Sequence, residues 1–261
     1  DHPYVKELQA NNLIELIQNR EVKIYSGEAQ ILVDHPSKIV NARDQSQYHL
    51  TPQLAPYING VKKELIIVSP YFVPGDEGIQ FFADLIKRGV TVKILTNSLK
   101  SNDVLVVHAG YSKYRKQLLK MGIKLYEMDS KLLTSKKLYK KSDKQKSSMW
   151  GKSQASLHAK YFVIDRQATF IGSLNLDPRS FYENTEIGVI LSADKLSQHL
   201  ALQFDNAINL IAFELSLQDG KIIWSKTVSG KTITFHNEPY TSWWNRFVVG
   251  FMSYLPGESQ L

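Results

Sequence analysis

Two short stretches, Leu157-His158-Ala159-Lys160 and Gly172-Ser173-Leu174-Asn175, carry the residue types that handle a phosphodiester. An imidazole can attack phosphorus or protonate a leaving oxygen. An ammonium neutralises phosphate oxygens, while a hydroxyl and an amide supply directional donors. Read as neighbouring strands, with side chains alternating between faces, the stretches project His158 with Lys160 and Ser173 with Asn175 onto one spot. Gly172 then lets a bulky group approach the second strand closely. Glu186, one strand further on, is positioned to accept from the other imidazole nitrogen and fix its tautomer. Singly, each residue has an ordinary reading. His158 is a strand-end histidine, Lys160 a snorkelling surface lysine, Ser173 and Asn175 turn formers, and Asp165 the start of a turn.

The spacing argues for the chemical reading. His158-x-Lys160, four residues, Asp165, six residues, then Gly172-Ser173-x-Asn175 resembles the signature of the phospholipase D superfamily. The resemblance implies that His158 is the nucleophile or its general-acid partner, that Lys160 and Asn175 bind phosphate, and that Ser173 supports the phosphate geometry. Asp165 is implied to buttress the loop, and Glu186 to orient the histidine. The family uses two such motifs around one phosphate, and this chain has a single His-x-Lys. The remaining histidines, His2, His35, His49, His108, His199 and His236, lack the pattern. The active unit is therefore expected to be a two-fold homodimer, or a longer protein whose N-terminal half is absent here. Ser69-Pro70-Tyr71-Phe72-Val73-Pro74-Gly75, Thr96-Asn97-Ser98-Leu99, Val107-His108-Ala109-Gly110-Tyr111 and the closing Leu255-Pro256 resemble segments of C-type bacterial cardiolipin synthases. The chain looks like their C-terminal half, in accord with a start at Asp1 without methionine.

The resemblance implies a two-step transfer. A histidine displaces an alcohol from a phospholipid, and the hydroxyl of a second phospholipid, phosphatidylglycerol, attacks the phosphatidyl-histidine. Lysine supplies the positive charge, so neither metal nor cofactor is expected. Asn97, Ser101, Asp103, His108 and Tyr111 are polar residues in an expected loop and helix start, with two readings: headgroup pocket, or ordinary loop and cap chemistry.

The positioning elements follow from hydrophobic periodicity. Helices are expected over Pro3–Arg20, Leu54–Lys63, Gly78–Arg88 (closed by Gly89), Tyr111–Met121 (closed by Gly122) and Asp194–Leu210. Strands are expected over Gln30–Val33, Leu65–Val68, Val92–Leu95, Ile123–Met128, Leu157–Asp165, Thr169–Leu174 and Thr185–Leu191. Lys221–Ser225 and Thr232–His236 read as a hairpin turned near Ser229-Gly230. Alternating strands and helices argue for a layered α/β fold, and the resemblance implies a phospholipase D-like sandwich, a mixed sheet with helices on both faces. Three segments are expected: residues 1–60 as a helix/strand extension joining the missing half, 61–215 as the catalytic domain with a basic loop at 130–155, and 216–261 as hairpin and aromatic tail.

Composition narrows the partners. The chain has 261 residues, no cysteine and a formal net charge of +7, which excludes disulfides and attracts phosphates. Between Lys131 and Lys152 lie eight lysines and one acid, Asp143, either a solvated loop or a basic flap over an anionic surface. In the tail, Trp243, Trp244, Phe247, Phe251 and Met252 form an interfacial pattern, although a tail docked on its own core would look the same. No apolar run reaches the roughly 20 residues that span a bilayer. The resemblance implies phospholipids and an anionic membrane surface as partners, on the cytoplasmic side of a bacterial inner membrane. Nucleic acid is not expected, because the lysines concentrate in one loop and no aromatic-studded binding sheet is evident. A nuclease, a phospholipid hydrolase and a non-catalytic membrane module are the competing readings.

Overall fold

A computed structural model describes residues 17, 19, 23–131, 156–228 and 230–254. The helix expected over Pro3–Arg20 and most of the lysine-rich loop fall outside these residues.

One mixed sheet organises the chain. Its strands are β1 (Glu28–Val33), β2 (Glu64–Val68), β3 (Thr91–Thr96), β4 (Lys124–Met128), β5 (Tyr161–Ile164), β6 (Ala168–Gly172), β7 (Ile187–Ser192), β8 (Ala212–Gln218), β9 (Lys221–Val228) and β10 (Lys231–Phe235). Their spatial order is β1-β7-β6-β5-β2-β3-β4-β8-β9-β10. The β2–β3 and β3–β4 pairs are parallel, and β5 joins β2 antiparallel. The helices are α1 (Thr51–Asn59), α2 (Gly75–Lys87), α3 (Leu105–Lys120), α4 (Pro178–Tyr182), α5 (Asp194–Ile211) and α6 (Trp243–Met252).

The near-continuous apolar run of β2 is what a strand covered on both faces requires. Leu65 and Ile67 face a core with Leu54 of α1, Ile79, Phe82 and Leu85 of α2, and Tyr111 and Leu118 of α3. Ile66 and Val68 face the opposite core, closed by Ala201, Phe204 and Ile208 of α5. The expected mixed sheet with helices on both faces is thus present. Both parallel crossovers put their helices, α2 and α3, on the same face, as two crossovers of one hand must.

Several expected elements shift. The first motif strand begins at Tyr161, not Leu157, and the second stops at Gly172, not Leu174. α3 begins at Leu105, because the apolar run before Tyr111 is already helical. α1 covers Thr51–Asn59, and β8 was not expected. The sheet runs unbroken past residues 60 and 215, since β1 pairs with β7 and β8 pairs with β4.

Candidate active site

Topology alone gathers the motif. β2 and β3 run the same way, so Val68 and Thr96 close one end of the sheet. Antiparallel β5 starts at that end, with Tyr161 opposite Val68. β6 finishes there, with Gly172 opposite Gly188 at the start of β7. The segments carrying His158, Lys160, Ser173, Asn175 and Glu186 therefore all emerge at this one end. None of the five lies inside a strand, so strand alternation does not aim them. Cross-links do.

His158 is exposed, and its ring has no hydrogen-bond partner among the described residues. The backbone around it is held. Asn97, buried beyond the end of β3, accepts from the Leu157 N–H at 3.1 Å and donates to the Leu157 carbonyl at 3.2 Å. Its amide also reaches the Pro70 carbonyl at 3.3 Å. Lys160 donates to the His158 carbonyl at 3.1 Å. The Lys160 carbonyl accepts from the Gly172 N–H at 3.2 Å, which ties the two motif halves together. Desolvation holds the Lys160 ammonium below the ordinary lysine value, and the charges of Glu186 and Asp177 oppose part of that shift.

Ser173 is fixed against Glu186 and Ile187. Its N–H donates to the Ile187 carbonyl at 2.8 Å, its Oγ accepts from the Ile187 N–H at 3.1 Å, and its Oγ donates to the Glu186 carboxylate. Glu186 also accepts from Asn184 at 3.4 Å. The structure therefore brings Glu186 to Ser173 rather than to the His158 ring, where the sequence reading puts it. Asn175 is buried, and its Oδ1 has no partner among the described residues. A buried amide oxygen left open at a site of this kind is a group a ligand hydroxyl can satisfy.

Gly172 has a different reason from the one expected. A Cβ there would stand 2.5 Å from the Ile187 carbonyl and 2.8 Å from Gly188 Cα. The glycine admits the backbone of β7, not a ligand. Asp165 is tied to the segment that leads into β2. Its carboxylate accepts from the N–H groups of Lys62, Lys63 and Glu64 at 2.9, 2.7 and 2.9 Å. Burial raises its carboxyl, but those three N–H groups more than offset this and leave it below the ordinary carboxylate range.

Of the expected headgroup residues, only Asp103 is exposed, and it accepts from Tyr71 at 2.7 Å. Ser101 is buried against Ser98. His108 and Tyr111 do not line a headgroup pocket. They are buried because α3 starts earlier and turns both rings into the molecule, where Glu127 meets the Tyr111 hydroxyl and Glu238 meets His108 Nε2, while His108 Nδ1 has no partner among the described residues. Glu127 accepts from Tyr111 at 3.0 Å, Arg115 at 3.1 Å and Trp224 at 2.8 Å. Glu238 meets His108 at 3.1 Å and Arg115 at 2.6 Å. Burial raises the Glu238 carboxyl, yet Arg115 and His108 hold it well below the usual carboxylate range.

Two acids escaped the sequence reading. Buried Asp34 accepts from the Glu186 N–H at 2.8 Å, from Lys38 at 2.7 Å and from the Leu50 N–H. Residues 28–50 thus form the back of the site, and a lone acid after a short strand carries no signal for that. Asp177 caps α4 by accepting from the Ser180 N–H at 2.8 Å. Burial raises its carboxyl above the ordinary value and the charge of Glu186 adds to this, against two capping N–H bonds. Its signal was legible: Asp177-Pro178 is an N-cap followed by proline at the first helical position. A cavity of about 590 Å³ is walled by Leu54, Phe72, Phe162, Leu174, Leu176 and Phe181, and none of His158, Lys160, Ser173, Asn175 and Glu186 lines it. Leu174 and Leu176 bracket Asn175 in sequence.

A mixed sheet that delivers a histidine, a lysine, a serine and an asparagine to one end defines a class that comparison with known proteins makes specific. The family model described as "Cardiolipin synthase, PLD-like domain" matches residues 54–208, and the chain belongs to that family. Cardiolipin synthase C of Escherichia coli (strain K12) is 36% identical over 259 residues, 98% of this chain and 53% of that protein. Cardiolipin synthase A of Yersinia pseudotuberculosis serotype O:3 (strain YPIII) is 28% identical over 65% of this chain and 28% of its own length. The chain spans about half the length of the first of these, and less of the second. The phospholipase D family member Nuc of Salmonella typhimurium shares the fold, with a TM-score of 0.50 at 15% identity, covering 73% of this chain and 100% of that one. The phosphatidylserine synthase of Haemophilus influenzae Rd KW20 does so too, at 0.50 and 16%, covering 82% and 48%.

Proposed function

We propose that this chain is the C-terminal catalytic half of a phosphatidyltransferase that makes cardiolipin. The observation that carries the reading is the convergence of His158, Lys160, Ser173 and Asn175 on one sheet end in a chain of the cardiolipin synthase family. In the first step an imidazole nitrogen bonds to phosphorus, the phosphorus–oxygen bond to the headgroup alcohol breaks, and a second histidine protonates the leaving oxygen. In the second step the hydroxyl of phosphatidylglycerol gives up its proton to that second histidine and attacks phosphorus, and the first imidazole leaves. His158 serves as either nucleophile or acid. Lys160 and Asn175 hold the phosphate, and Ser173, anchored by Glu186, supports them. The second motif comes from an N-terminal half or from a second copy of this chain.

Membership of the cardiolipin synthase family favours a lipid over a nucleic acid. No helix among the described residues is long and apolar enough to cross a membrane, and the proposed setting is peripheral, on the cytoplasmic side of a bacterial inner membrane. Lipid mass spectrometry after expressing the full-length protein in a cardiolipin-deficient host tests the reading. Cardiolipin is expected. Phosphatidic acid without cardiolipin would replace transfer by hydrolysis, and an unchanged lipid profile would remove the lipid assignment.

A further inference from the structure

The C-terminal helix presents aromatic side chains to solvent. In α6, Trp243, Trp244, Phe247 and Phe251 are 68, 56, 57 and 60% exposed, and Tyr254 just beyond is 90% exposed. They form one surface. Trp243 meets Trp244 edge-on at 5.4 Å, and Trp244 stacks on Phe247 at 5.6 Å. The expectation that a docked tail would bury these rings is not met. α6 docks by its opposite side, through buried Val249 against Leu99 and Ala109. Four large aromatics exposed on ten residues of helix are far from the scattered exposure of an ordinary surface.

The surroundings of the helix carry charge. A cleft of about 310 Å³ between α3 and α6 is lined by Arg115, Lys116, Lys221 and Arg246, with Glu238 the one acid. The Arg115 guanidinium spends two of its nitrogens on Glu127 and Glu238, while Lys116 and Lys221 are exposed. Tryptophan and phenylalanine beside exposed cations match the boundary of an anionic bilayer, where the ring bodies enter the acyl region and the cations meet phosphates. The helix also sits at the right end of the molecule. Val249 packs on Leu99, two residues beyond the Asn97 that grips Leu157. Leu105 and Val106, exposed in the first turn of α3, add apolar surface at the same end.

We infer that the aromatic face of α6, flanked by Lys116, Lys221 and Arg246, docks on an anionic phospholipid surface and holds the His158 end of the sheet against it. The inference rests on the lipid reading of the site, but its test needs no turnover. The 261-residue chain is floated with vesicles of equimolar phosphatidylglycerol and phosphatidylcholine. A variant with Trp244→Ser, Phe247→Ser and Phe251→Ser should bind at least about tenfold more weakly, because exposed rings contribute only through insertion. Lys116→Gln with Lys221→Gln should cost about fivefold per charge at low salt and little at high salt. Brominated acyl chains should quench the unaltered chain, and less so Trp243→Phe with Trp244→Phe. His158→Ala should bind normally, so loss of synthesis with binding retained would concern the site and not this surface. Unchanged flotation of the triple serine variant, or absence of quenching, overturns the inference. So does a change in oligomeric mass in that variant with vesicle binding intact, which would make the face a protein interface.

Discussion

Asn97 holds Leu157 by both backbone groups, accepting from its N–H at 3.1 Å and donating to its carbonyl at 3.2 Å. A side-chain amide that pairs with a backbone amide in this way sets the entry of the next residue, His158. Asn97→Ala leaves both Leu157 groups without that partner, and hydrogen bonds of this kind contribute about 0.5–1.5 kcal/mol each. We expect kcat of the full-length enzyme to fall by at least about tenfold with KM little changed, and the melting temperature to drop modestly. A normal kcat would show that the clamp does not aim the histidine.

His158→Ala should lower turnover by about a thousandfold or more while leaving the fold intact, since the ring is exposed and makes no hydrogen bond among the described residues. Lys160→Ala and Asn175→Ala should cripple kcat as well, because they hold charge that develops on the phosphate. Steady-state kinetics on the intact enzyme, with circular dichroism as control, checks all three.

Ser173 and Glu186 should act as one unit. Their direct hydrogen bond predicts that Ser173→Ala and Glu186→Gln are non-additive, with a coupling of about 0.5–3 kcal/mol in a double-mutant cycle on kcat/KM. Glu186 also raises Lys160, whose ammonium desolvation already weakens. Removing that charge lowers the Lys160 value further, so Lys160 loses its proton at lower pH. The alkaline limb of the pH–rate profile of Glu186→Gln should move down in pH, and a limb that stays in place would dissociate the two residues.

Asp165→Asn should destabilise the domain by about 1.5–3 kcal/mol near neutrality, the scale of hydrogen bonds to a charged acceptor. Its carboxyl lies lower in the folded chain than the ordinary value of about 3.9. Its contribution is therefore full above that value and disappears as pH falls through the lower folded value. Urea melts at neutral pH should separate the variants, and melts in strong acid should bring them together.

The isolated chain should be nearly inactive on phosphatidylglycerol, and adding the N-terminal half of the full-length protein should restore turnover. Activity from the chain alone as a two-fold dimer would assign the second motif to a second copy.

The strands and helices of the central layer were legible because burial on two faces leaves runs such as Leu65-Ile66-Ile67-Val68, and because Gly89 and Gly122 mark helix ends with positive φ. β8 was missed although Phe213, Leu215 and Leu217 alternate, since it follows α5 without a break and no turn residue announces it. The motif residues were found from type and spacing. What aims them was not, because Asn97 and Asp34 act across 60 and 152 residues of chain, and a hydrogen bond between distant segments leaves no local pattern. The roles given to His108 and Tyr111 failed for a related reason: polar letters do not reveal whether a buried carboxylate will meet them.

The Glu127 and Glu238 network has a further consequence for how the molecule opens. Glu127 sits on β4, its partners Tyr111 and Arg115 on α3 and Trp224 on β9, and Glu238 follows β10. Detaching the β9–β10 hairpin would take Trp224 from Glu127 and Glu238 from Arg115 and His108, leaving the buried Arg115–Glu127 pair with only part of its compensation, which is costlier than losing the contacts themselves. The hairpin and the α3 layer should therefore open together as one cooperative foldon, with amide protons of β9 and β4 exchanging at matched rates. The helix that carries the exposed tryptophans packs on α3 through Val249 and Ala109 and is thus rooted in this cooperative unit.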